Sequence, residues 1–148
     1  MTYHSTTFRM TNKQKCFQIF RPQVEEFGQR YGLSQKQVFN LTLVIDELIT
    51  NILSYGYTDL EEHFIEVTLG IDGDRLIIEI RDDAEPFNIL EAPEPELDLP
   101  VEERVRPVGG MGVHIVKKLM NCIEYRREDG RNVLRLEKDI NDECPCGC

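Results

Sequence analysis

Two short stretches carry residue types that could do chemistry. Asp46-Glu47-Leu48-Ile49-Thr50-Asn51 lies inside a long apolar periodicity, and Glu47 and Asn51 stand at i and i+4. That spacing puts both side chains on one helical face, a proton acceptor beside a neutral oxygen ligand. The second stretch is Gly109-Gly110-Met111-Gly112-Val113-His114-Ile115-Val116-Lys117-Lys118-Leu119-Met120. It reads as a glycine-rich turn running into an amphipathic helix. A helix N-terminus presents unpaired N–H groups and the positive end of a dipole, which suits phosphate. Glycines there let the backbone approach an anion closely. A nucleotide site with a magnesium ion would need these parts, although a glycine-rich turn alone is weak evidence of one.

The elements that must position these residues follow from periodicity. Residues 3–10 read as a first strand. Phe17, Phe20, Val24, Phe27 and Tyr31 recur at helical spacing, which predicts a helix within 12–31. Ser34 with Gln37 three residues on is a capping-box signature. Val38, Leu41, Ile45, Leu48, Ile52 and Tyr55 then continue a helix ending near Gly56. Strands at 63–71 and 74–82 flank Asp72-Gly73, a hairpin turn. The glycine helix spans about 111–121. Ile123–Arg127 and Val133–Lys138 bracket Asp129-Gly130 as a second hairpin. The order is β-α-α-β-β-loop-α-β-β. Hairpins imply antiparallel pairing, so the pattern is not a Rossmann sheet. The expected fold is α/β in the sense of an α+β two-layer sandwich, with a mixed, mainly antiparallel sheet and helices on one face.

Residues 88–108 resist a regular element. They hold Pro93, Pro95, Pro100 and Pro107 among Glu91, Glu94, Glu96, Asp98, Glu102 and Glu103. Loops this long inside small domains are usually lids or insertions. Because this one ends at the glycine turn, it reads as a lid over bound phosphate, with a solvated linker as the alternative.

Bulk properties narrow the class. The chain has 148 residues, 41% hydrophobic and 30% charged, which suits one globular domain over 1–140. A formal net charge of −10 repels phosphate backbones and anionic lipid, so neither nucleic acid nor membrane is an expected partner. No apolar run approaches a membrane span, and the start lacks a secretory pattern. The expected compartment is the cytoplasm, where thiols stay reduced. Of the five cysteines, three sit in Cys144-Pro145-Cys146-Gly147-Cys148. That spacing is too tight for a zinc knuckle, so 141–148 reads as a flexible tail, with soft-metal binding as the alternative. Cys16 and Cys122 lie in helical patterns and read as small buried residues.

Arg81-Asp82-Asp83-Ala84-Glu85-Pro86-Phe87 closes the second strand before the lid. Taken with Glu47…Asn51 and Gly109-Gly110-Met111-Gly112, it resembles the nucleotide site of the GHKL ATPase superfamily. Within that superfamily, residues 5–138 are most similar to the small anti-sigma factor serine/threonine kinases of bacterial partner-switching systems. The three motifs come in the family's order and on the expected elements.

The resemblance implies a Bergerat-type ATP-binding fold, ATP/ADP and Mg²⁺ as cofactors, and phosphoryl transfer to a protein serine or threonine. Glu47 matches the general base. Asn51 matches the magnesium ligand, an oxygen donor suited to a hard cation. Asp82 matches the carboxylate that accepts from the adenine amino group, with Ala84 and Pro86 in the loop behind it. Gly109, Gly110, Met111, Gly112 and Val113 match the turn whose amides hold phosphates. The implied partners are a STAS-domain anti-sigma antagonist and a sigma factor, and a homodimer is left open. One departure stands out. The family pattern is Asp-x-Gly, whereas this chain has Ala84. Alanine would cost about 1 kcal/mol if φ there were positive. His114 is not placed like a phospho-acceptor, and no transducer domain follows. The competing function is a nucleotide-binding interaction module with little or no kinase activity. A weaker one is a metal-responsive regulator working through the terminal cysteines.

Overall fold

The computed structural model describes residues 3–91 and 111–141. Strand β1 (Tyr3–Thr11) leads into helices α1 (Cys16–Tyr31) and α2 (Gln35–Tyr55). β2 (Phe64–Asp72) and β3 (Arg75–Asp82) follow, then a 3-10 turn at Ile89–Glu91, α3 (Met111–Leu119), β4 (Cys122–Glu128) and β5 (Arg131–Asp139). The capping box at the start of α2 is formed: Gln37 N donates to Ser34 Oγ at 3.1 Å, and Ser34 N donates to Gln37 Oε1 at 2.7 Å. The second hairpin turns through Asp129 at φ 53° and Gly130 at φ 75°, the mirror-image turn that matches strand twist.

The five strands lie in the order β1-β2-β3-β5-β4. Each neighbouring pair is antiparallel, so the expected mixed sheet is corrected to a wholly antiparallel one. The reason is local. The connection through α3 returns β4 parallel to β3, but the short turn after β4 folds β5 into the gap between them.

Register aligns one apolar face across the sheet. Val67 pairs with Phe8 and Ile80, and Ile80 pairs with Leu134, which pairs with Tyr125. The strand residues Met10, Ile65, Leu69, Ile78 and Leu136 are fully buried, as are Phe20, Val24, Ile45 and Ile49 of α1 and α2. They form one core with Val113 and Val116 of α3, so the helices do cover a single face. Each such aliphatic side chain contributes about 1.5–3 kcal/mol by leaving water. The opposite face carries polar pairs around the buried Ile77 and Val133: Arg81 pairs with Glu79 at 2.7 Å, Arg75 with Glu137 at 2.9 Å, and the Thr7 and Thr68 hydroxyls lie 2.9 Å apart.

Two expectations shift. α2 is, by length and composition, apolar enough to cross a membrane. Its Leu41, Val44, Ile45, Leu48 and Ile49 instead anchor the core, and exposed Phe39, Leu53 and Tyr55 raise its apolar count. Cys122 opens β4 rather than ending a helix, because α3 stops at Leu119. Cys16 is a buried free thiol as expected. Of the segment expected as a lid, only 88–91 are described. Asn88 Oδ1 accepts from Leu90 N at 2.9 Å, and the 3-10 turn buries Ile89. The rest of that segment, with Gly109 and Gly110, and the tail cysteines lie outside the described residues.

Candidate functional site

The same register that builds the core ends in a row of polar groups. Ile65 pairs with Asp82, Asp82 with Asn132, and Asn132 with Arg127. All point to the helix-covered side, because strand side chains alternate. Asp82 is only 5% exposed. Its Oδ1 accepts from Ala84 N at 3.0 Å and from Asn132 Nδ2 at 2.9 Å. Both hydrogen bonds that Asp82 accepts among the described residues end on that one oxygen. Burial pushes the Asp82 carboxyl above the usual range, and the Asn132 and Ala84 bonds oppose the push.

Asn132 is the hub of this end. Its Nδ2 also donates to the Glu85 carbonyl at 3.0 Å and reaches the Ala84 carbonyl at 3.4 Å. Its Oδ1 accepts from the Tyr125 hydroxyl at 2.6 Å and from Arg127 Nη1 at 3.2 Å. Arg127 Nη1 donates to the Ala84 carbonyl at 2.8 Å. On the other side, Glu85 N donates to the Gly56 carbonyl at 2.9 Å. The loop after Asp82 is therefore pinned between the β4–β5 hairpin and the end of α2. The sequence reading missed Asn132. A signal existed: it stands two residues before Leu134 and four before Leu136, on the inward alternation of its strand.

Ala84 does not carry the strain that its place in the motif suggested. Among the described residues the one non-glycine with positive φ is Asp129. Ala84 is buried, and a Cβ built on Gly56 would come within 2.7 Å of the Ala84 Cβ. The missing side chain at Gly56 makes room for the methyl at Ala84.

Asp82, Ala84, Pro86 and Asn132 line a pocket that Leu48, Asn51 and Ile52 of α2 close from above. Its walls are largely apolar and its polar groups few, the usual make-up of a small-molecule site. Asn51 brings its side-chain amide to this pocket, and Nδ2 is buried without a hydrogen-bond partner among the described residues. Such an orphaned donor is rare unless a bound group supplies an acceptor.

Glu47 lies one turn before Asn51 and is half-buried. Burial pushes its carboxyl above the usual range, with the Asp46 charge adding to it. A Cβ at Gly112 would collide with Glu47 Oε2. The Glu47 carboxylate thus rests on the bare backbone of the first turn of α3, in the space left by the missing Gly112 side chain. α2 and α3 accordingly bring together the two stretches that the sequence keeps apart. Val113 is different: its side chain is buried in the core, so only its backbone faces the helix end. Met111 begins α3, and His114 is half-buried on it. Gly109 and Gly110 fall outside the described residues.

The donor set fits the groups expected of it. A carboxylate oxygen of Asp82 is available to an amine in an apolar pocket, Asn51 offers a hard oxygen, and Gly112 keeps the helix end open. The family model for the histidine kinase-like ATPase domain matches residues 13–138. A serine/threonine-protein kinase, BtrW of Bordetella bronchiseptica, is 29% identical over 113 residues, 76% of this chain and 78% of its own. A serine-protein kinase, RsbW of Listeria monocytogenes, is 24% identical over 140 residues, 93% of this chain and 88% of its own. RsbW of Bacillus cereus is 26% identical over 137 residues, 89% and 83% respectively.

Proposed function

Because this chain belongs to the histidine kinase-like ATPase domain family, we propose that it is a cytoplasmic, ATP-dependent protein serine/threonine kinase. In this reading it acts as an anti-sigma factor that binds a sigma factor and phosphorylates a STAS-type antagonist. The observation that carries it is the contact of Glu47 with Gly112, which sets a carboxylate of raised pKa at a helix N-terminus beside the Asp82 pocket. The similarity to serine-protein kinases supports the same reaction class.

The roles follow from the chemistry of each group. Asp82 accepts from the adenine amino group; guanine would present a carbonyl there, and two acceptors repel. Leu48, Ile52 and Ile80 supply the apolar walls for the base. The first amides of α3, with those of the glycine turn before it, donate to phosphate oxygens. Asn51 would hold magnesium through its side-chain oxygen; when bound, the ion neutralises phosphate charge. Glu47 takes the proton from the attacking hydroxyl, a role that a raised carboxyl pKa favours. Most of the rate comes from positioning and charge neutralisation.

The test has two parts. Calorimetry with ADP and GDP in Mg²⁺ should show binding of ADP alone. Incubation with ATP and a STAS protein encoded beside it should yield phosphoserine or phosphothreonine by mass spectrometry. Equal affinity for the two nucleotides sinks the adenine assignment. ADP binding without transfer to any such protein leaves a nucleotide-binding interaction module.

A further inference from the structure

The connection from α2 to β2 passes beside the loop that follows Asp82, and His63 stands at the junction. Its ring stacks on Tyr57, with centroids 4.2 Å apart and planes 11° from parallel. Nε2 lies 2.7 Å from Asp59 Oδ1, and Nδ1 lies 3.0 Å from Asp83 Oδ2. The backbone N of His63 donates to Asn12 Oδ1 at 2.8 Å, which ties the junction to the end of β1. The ring is only 13% exposed, while the Asp59 and Asp83 carboxylates are open to solvent.

Ionised carboxylates only accept hydrogen bonds, so two of them at two ring nitrogens require a proton on each nitrogen. The arrangement is that of an imidazolium. A neutral ring would turn a lone pair toward one carboxylate and lose that bond. Asp83 is the residue after Asp82, and the next residues, Ala84 and Glu85, are held on the far side by Asn132 and Arg127. On the near side the ties are the Gly56–Glu85 backbone bond and the His63–Asp83 bond.

Building on the adenine reading of Asp82, we propose that His63 is a positioning residue for nucleotide recognition. Its imidazolium clamps Asp83 and so holds Asp82 and the loop behind it in the binding arrangement. Loss of the ring proton removes one of the two carboxylate bonds, loosens the hold on Asp83 and weakens nucleotide binding.

The charges around the ring favour the clamped form. Asp59, Glu61 and Glu62 come from its own connection, and Asp82 and Asp83 from the end of β3. Lys13, whose Nζ donates to the Leu60 carbonyl at 2.7 Å, is the cation placed on that connection from the β1 side. Burial and the nearby aspartates keep the Tyr57 hydroxyl protonated, so it adds no charge. Hydrogen bonding to Asp83 first, and to Asp59 second, holds the His63 imidazole above the usual histidine range. The sign follows: the clamp is complete below that usual range and opens as pH rises through the raised value.

The experiment is ADP affinity by calorimetry in Mg²⁺, from about pH 6 to about pH 8.5, across the histidine range. Wild type, His63→Gln and Asp83→Asn are compared. Titration of the ADP phosphate and of Asp82 is common to wild type and His63→Gln, so it cancels in their ratio. Wild type should bind about fivefold more tightly than His63→Gln at the acid end, the low end of typical site–site couplings, with the curves converging at the alkaline end. Asp83→Asn should also flatten the profile, and it serves alone if His63→Gln does not fold. By reciprocity, ADP should move the His63 ring titration seen by NMR to higher pH. Parallel profiles for wild type and both variants, or a ring titration that ADP leaves in place, would mean His63 only supports the fold. Those results overturn the clamp and leave the Asp82 assignment standing. Failure of wild type to bind ADP at any pH overturns both.

Discussion

At the Asp82 end of the pocket, the polar side chains are tied to one another through Asn132, with one Asp82 oxygen left open. Asn132 alone touches the side chains of Asp82, Tyr125 and Arg127 and two loop carbonyls. At the α2 end, Glu47 rests on glycine backbone, and the Asn51 amide has a nitrogen with no partner among the described residues. One end is prearranged by mutual hydrogen bonds and the other is left under-satisfied. The difference matches the two tasks proposed. Recognition of a rigid base gains from prearranged donors and acceptors, since ordering them on binding would weaken affinity. Phosphoryl transfer needs groups that bond to something present only during the reaction.

The strongest way to break this comparison is Glu47→Gln. It keeps the shape and removes the base, so transfer should fall by about 10²–10⁴-fold with ADP affinity unchanged, checked by single-turnover transfer and calorimetry. The pH profile of the wild-type rate gives a companion reading. A base acts when ionised, and Glu47 is held above the usual carboxylate range. The acid limb of the rate should therefore lie at higher pH than for an ordinary glutamate.

Gly112→Ala separates catalytic placement from stability. The methyl would displace the Glu47 carboxylate, and displacement on the order of 1 Å can cost about 10²-fold in rate. Alanine also favours helix by up to about 1 kcal/mol, so thermal stability should hold or rise while transfer collapses. Unchanged transfer would show that Glu47 can work from elsewhere.

Asn132→Ala and Asn51→Ala test the two ends directly. Removing Asn132 strands a buried carboxylate and loop carbonyls, so stability should fall by about 2 kcal/mol and ADP affinity by about tenfold or more. Removing Asn51 takes away a side-chain nitrogen that lacks a partner among the described residues. Stability should stay within about 0.5 kcal/mol, the range of changes that break no interaction, while the Mg²⁺-dependent part of nucleotide binding is lost. Denaturant unfolding with and without Mg²⁺-ADP distinguishes the pair, and equal stability losses would erase the contrast drawn between the ends. The smallest effect is expected away from both. Ser34→Ala should cost about 1 kcal/mol through the α2 cap and leave ADP affinity alone.

Much of this site was legible before any coordinates. Glu47 and Asn51 share a face because helical spacing demands it, and Ser34 with Gln37 announces where that helix begins. Asp82 was placed at a strand end by the hairpin about Asp72-Gly73. The harmlessness of Ala84 was not legible: it depends on a negative φ and on the space left by Gly56, a contact between residues far apart in the chain. Asn132 was half legible, since a polar residue on an apolar alternation is a signal, but its partner depends on which strand β5 joins. His63 was not legible at all, because nothing local says that Asp59 and Asp83 approach one ring from two sides.

The sequence by itself determined the elements, their order, and which residues could act. These rest on periodicity, capping and turn chemistry, all of them interactions within a few residues. Only the tertiary structure decided that β5 lies between β3 and β4, that the sheet is wholly antiparallel, and that α2 and α3 press Glu47 onto Gly112. Those outcomes depend on burying one apolar face against three helices at once. That is a property of the whole packed chain, and no short stretch of residues encodes it.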